Sequence, residues 1–125
     1  GRVRDIVTTV DSPRLRTIFD PANYLEIGVK PYPDALVQTV EFVEYLHVKD
    51  AVKGERGEIR PAGEGDGAIP ETLAALAARG FSGFASLEPH LATADEKDGL
   101  SGPAAFETAA EALRDSLDEA GVVHR

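Results

Sequence analysis

The chain has 125 residues, enough for one ordinary domain and too few for two, and its 42% hydrophobic and 28% charged residues mark a core-forming sequence rather than a disordered one. A net charge of −9, from 22 acidic against 13 basic residues, argues against nucleic acid as a partner, because the basic field that attracts a phosphate backbone is missing. With no cysteine there is no disulfide, thiolate nucleophile or thiolate metal site; no apolar run approaches the ~20 residues of a membrane span, and the GRVRD start lacks the apolar core of a signal peptide, so the cytoplasm is the expected compartment.

Residues 4–10 read as the tail of a helix. Residues 15–20 (LRTIFD) form a short apolar run ending in charge and predict the first strand. Asp34 then stands where it can cap a short helix whose apolar face is Leu36, Val37 and Val40. Residues 45–49 (YLHVK) predict the second strand. A glycine-rich stretch, 54–67, follows it as a rim loop. Its Gly63-Glu64-Gly65-Asp66-Gly67 core permits close backbone approach and offers amides to a phosphate, but Glu64 and Asp66 weigh against that use. Pro70 fits a first helical turn, Leu73, Leu76 and Ala77 make an apolar stripe, and Gly80 marks the end of that helix. Residues 83–88 (GFASLE) predict the third strand, stopped by Pro89. A last helix opens at Pro103, repeats Phe106, Ala109, Ala110, Leu113, Leu117 and Ala120 at spacings of three and four, and closes at Gly121.

Strand–helix alternation predicts an α/β fold with parallel strands, and the 30–40-residue spacing of the units suits a (β/α)8 barrel. Three strands cannot close such a barrel, so the expectation is a partial domain over residues 1–125, a piece of a longer protein.

Asp20, His47 and Glu88 fall at the carboxyl ends of the three expected strands. Any one of them alone is an ordinary turn cap or polar residue. Together they occupy equivalent positions, and parallel α/β barrels bring such positions to one rim. Two carboxylates and an imidazole without sulfur suit Mn²⁺, Mg²⁺ or Co²⁺, and also accommodate Zn²⁺ or Fe²⁺. Lys49, two residues beyond His47, shares its side of the strand by alternation, within reach of a substrate oxygen.

Four segments, FDPAN (19–23), HVKDA (47–51), PAGEGDGAIP (61–70) and SLEPH (86–90), resemble the sugar phosphate isomerase/epimerase family, the xylose isomerase-like barrels, in order and spacing from about Arg4 to Gly121. The resemblance implies the last three βα units of a TIM barrel and a divalent metal held by Glu, Asp, His and Glu. The last three of those ligands match Asp20, His47 and Glu88. The first glutamate has no counterpart, and is expected upstream of Gly1.

The implied activity is metal-dependent isomerisation or epimerisation of a sugar or sugar phosphate, by proton transfer beside a carbonyl through a stabilised enediolate, with Glu88 as the base. Asn23, where several relatives have histidine, and His90 join Lys49 as the implied substrate contacts. The implied partner is a small-molecule sugar, with no nucleic acid and no membrane, and a homo-oligomer is left open. Inosose-type dehydration is a further outcome of the same chemistry. The abasic-site endonucleases of the same superfamily are disfavoured by Asn23, by the lack of an Asp-x-His pair in GEIRPA (57–62) and by the charge. The contrasting reading is a non-catalytic fragment or assembly module.

Overall fold

The computed structural model describes residues 1–54, 58–89 and 103–123. In chain order these form α1 (Arg2–Val10), β1 (Thr17–Phe19), α2 (Pro21–Glu26), α3 (Leu36–Thr39), β2 (Val43–Val48), β3 (Asp50–Ala51), β4 (Ile59–Arg60), α4 (Ile69–Ala78), β5 (Phe84–Leu87) and α5 (Pro103–Glu119). The strands β1, β2 and β5 lie side by side in that order, all parallel, with helices between successive strands, as an α/β chain requires. They make an open sheet, and no closed barrel forms among the described residues. None of the described helices is long and apolar enough to cross a membrane.

The strands are shorter or shifted relative to the sequence expectation, and the reason is local. β1 stops at Phe19 because Asp20 caps a helix the sequence reading missed: its Oδ1 accepts the Asn23 amide at 3.1 Å and Pro21 occupies the first turn of α2. β2 starts at Val43, two residues early, and Lys49 lies just past its end.

Before α3, Asp34 makes no side-chain cap; its carbonyl instead accepts from Gln38 Nε2 at 3.1 Å. The buried face there is Ala35, Leu36 and Thr39, while Val37 is exposed. The same kind of correction applies to Ala77 on α4 and Phe106 on α5, which face outward while Leu73, Leu76, Ala105 and Ala109 face inward. Pro70 near the start of α4, and Gly80 and Gly121 at positive φ past α4 and α5, stand where expected.

Period-two alternation divides the sheet into two faces. Phe19 (1% exposed), Leu46 (0%) and Val48 pack with Leu36, Leu73 and Leu76 into the main core beneath the helices. On the other face the register aligns Ile18 with Tyr45 and Tyr45 with Phe84, and this layer is open: Ile18 is 54% and Phe84 76% exposed. One step further along the same face, at the carboxyl ends of the strands, the polar residues gather.

Candidate metal centre

Asp20 follows β1, His47 is the penultimate residue of β2 and Glu88 follows β5, its amide donating to Val48 O at 3.1 Å so that the ladder continues one residue past the strand. Parallel pairing therefore sets Asp20 level with His47 on one sheet face, while Glu88, two residues past Ser86, the partner of His47, stands one layer further along the same face beside Lys49. One ligand atom from each lies within 4.8 Å of the others. His47 Nδ1 is 3.3 Å from Glu88 Oε1 and 3.7 Å from Asp20 Oδ2, and the Tyr45 ring meets the imidazole edge-on at 5.7 Å.

Asp20 spends Oδ1 on the α2 cap, which fixes the carboxylate and aims Oδ2 at the cluster. That Oδ2 is buried, and a buried carboxylate oxygen is costly unless a cation faces it, here the Lys49 ammonium at 3.0 Å. The chemistry of the set, two carboxylate oxygens and one imidazole nitrogen, fits a divalent ion of the Mn²⁺, Mg²⁺ or Co²⁺ kind.

Lys49 enters the same cluster. Its Nζ donates to Glu88 Oε2 at 3.2 Å and stands 3.0 Å from Asp20 Oδ2, with the side chain largely buried. Burial works against the ammonium, but the hydrogen bonds and charges of Asp20 and Glu88 override it and raise its pKa above the ordinary 10.5. Asn23 is exposed, and the contact it makes to the cluster is through its backbone amide on Asp20. His90 lies outside the described residues.

The sequence reading missed a third carboxylate, Asp50, beside Lys49. It is 0% exposed and accepts four backbone amides: Ala51 (2.9 Å) and Gly67 (2.8 Å) on Oδ1, Gly63 and Gly65 (3.0 Å each) on Oδ2. A Cβ at Gly65 or at Gly67 would come 2.5 Å from Asp50 Oδ1, so the alternating glycines let the backbone close on the carboxylate. The three glycine amides are thus already spent on an internal anion, which removes the phosphate reading of this loop. Asp66 Oδ2 adds a tie to the Lys53 amide at 2.8 Å, and the β3–β4 ladder pairs Asp50 with Arg60. What reads in sequence as a plain rim loop is an ordered cradle. The G-x-G-x-G spacing was its signal.

A family model described as a xylose isomerase-like TIM barrel matches residues 1–121. The crystal structure of a xylose isomerase domain protein from Planctomyces limnophilus superposes with a TM-score of 0.72 at 20% identity, covering 96% of this chain and 44% of that one. At that identity the likeness is one of fold, and the chain spans less than half the length of the neighbour. No curated protein matches the chain. With these comparisons, the open sheet of parallel strands and intervening helices is a partial TIM barrel.

Proposed function

The chain belongs to the xylose isomerase-like TIM-barrel family, and from that membership we propose that it forms the C-terminal three βα units of a divalent-metal-dependent sugar or sugar-phosphate isomerase/epimerase. The observation that carries the reading is the meeting of Asp20, His47 and Glu88 around a buried carboxylate oxygen at the strand ends, the face where such barrels work. Asp20, His47 and Glu88 would hold the ion. A bound divalent ion supplies stabilisation of negative charge developing on neighbouring carbonyl and hydroxyl oxygens.

The chain's own groups would do the rest. Glu88, half-buried at the rim, takes the proton from the carbon beside the carbonyl; an ordinary carboxylate, with a pKa of about 4.3, serves as such a base only on an acidified carbon shielded from water. Lys49 offers an ammonium to a substrate oxygen, and Asn23 and His90 offer polar groups to hydroxyls. A second acid on the opposite face returns the proton, giving the epimer, or gives it to the adjacent carbon, giving the isomer. Neither Asp20 nor His47 lies opposite Glu88, since all three share one face, so complete turnover is assigned to a barrel that supplies that second acid. In the same reading the substrate is a small sugar and the compartment the cytoplasm.

A thermal melt with and without Mn²⁺ or Co²⁺ tests the metal set. Ion binding to the folded chain raises the melting temperature, by an amount equivalent to about 2.7 kcal/mol at a hundredfold excess over Kd. The rise should disappear in Asp20→Ala and in Glu88→Ala. A cooperative melt indifferent to both ions sinks the reading and favours the assembly module, which the exposed Ile18–Phe84 layer independently suits. In a turnover-competent barrel, Glu88→Gln should abolish turnover and leave the fold intact.

A further inference from the structure

The geometry points to a second role for Lys49: we propose that it is the resident cation of the cluster, held on the carboxylate oxygens a divalent ion would take, and that it must release them for that ion to bind. The inference rests on the metal reading above and specifies how the ion enters.

Each carboxylate has two oxygens, and their assignments leave little choice. Asp20 Oδ1 is committed to the Asn23 amide, so Oδ2 is the oxygen turned toward the cluster, and Lys49 Nζ stands 3.0 Å from it. Glu88 presents Oε1 to His47 Nδ1 and Oε2 to Lys49 Nζ, the latter at 3.2 Å. The ammonium therefore bridges both acids of the ligand set. A divalent ion on Asp20 Oδ2 would sit about 2–2.5 Å from it. With the ammonium still on that oxygen, a double and a single positive charge would share one carboxylate in a half-buried setting, where they repel. The two cations therefore compete for it.

Lys49 lies just past the end of β2 on a flexible four-carbon stem, so it can withdraw without moving the strand. Its withdrawal places a charged group beside the ion on the open sheet face. In this arrangement the metal-free cluster is already neutralised in part, and ion affinity is set by competition with an internal cation.

Removing the charge while keeping the stem should therefore tighten ion binding. Lys49→Met is expected to lower the Mn²⁺ Kd of the 125-residue chain by roughly tenfold, read by isothermal titration, with Asp20→Ala as the control that abolishes binding. Because Lys49→Met leaves the two acids facing each other and so weakens the ion-free fold, a second measurement uses the unaltered chain: acetylation of Lys49 by acetic anhydride, followed by mass spectrometry. Its rate should rise severalfold when Mn²⁺ is added.

Equal or weaker Mn²⁺ binding by folded Lys49→Met overturns the proposal, and assigns Lys49 to orienting the acids instead. An acetylation rate that stays level or falls with Mn²⁺, in a chain that binds it, overturns the proposal as well. Mn²⁺ binding by neither the unaltered chain nor Lys49→Met, or binding that survives Asp20→Ala, removes the metal reading itself.

Discussion

The two faces of the three-stranded sheet are built from equally apolar strands and end in opposite conditions. Beneath the helices Phe19, Leu46 and Val48 are sealed from water, whereas on the other face Ile18 and Phe84, below the Asp20–His47–Glu88 cluster, remain open. The helix-covered face supplies the hydrophobic stabilisation of the chain, and the open face carries the polar cluster. Above the bare layer the rim is highly organised: Asp20, His47, Lys49 and Glu88 contact one another, and Asp50 is enclosed by backbone amides. The strand ends are thus locally preorganised even though the layer below them has no cover among the described residues.

Substitutions on the two faces should separate them sharply. Leu46→Ala, on the sealed face, should cost about 4 kcal/mol in urea unfolding, through lost burial and the cavity left behind. Asp50→Ala removes the acceptor of four backbone amides, and should cost about 3 kcal/mol in the same assay, with the 61–67 segment becoming protease-sensitive.

The rim should reveal itself in alkali. Lys49's pKa is raised in the folded chain, so the stability drawn from its ion pairs is complete below pH 10.5 and is lost as pH climbs through the folded value. Melting temperature followed from pH 9 to 12 should therefore fall more steeply for the unaltered chain than for Lys49→Met. The smallest effect belongs to the open face: Phe84→Ser should change stability by no more than about 0.5 kcal/mol. If it instead costs as much as Leu46→Ala, the open face is packed in solution against another surface, and sedimentation of the two variants would show whether that surface is a second copy of the chain.

Much of this was readable in the sequence where one local rule decides the outcome. The three strands, the helices opening near Pro70 and Pro103, and the alignment of Asp20, His47 and Glu88 follow from periodicity and from where each run stops. Helix faces were read less well. Val37 and Phe106 share a periodic stripe with buried neighbours but lie at its edge, and periodicity marks a stripe without marking its width. The helix α2 is signalled by Asp20-Pro21, a cap followed by a first-turn proline, but the strand-end position of Asp20 points equally to the rim; it serves both, one oxygen to each. Asp50 was out of reach for a different reason. Three of its four partners lie 13 to 17 residues away and are backbone groups, which leave no mark on side-chain pattern except that the positions are glycine.

The Asp50 cradle also fixes how this part of the molecule can move. Gly63, Gly65 and Gly67 share one carboxylate, so releasing any one amide weakens the hold on the other two, and water cannot enter to replace a single bond without reaching the buried charge. The segment is therefore expected to open as a unit, its three glycine amides exchanging with deuterium at one common rate, a latch whose two states are closed and undone with nothing stable between.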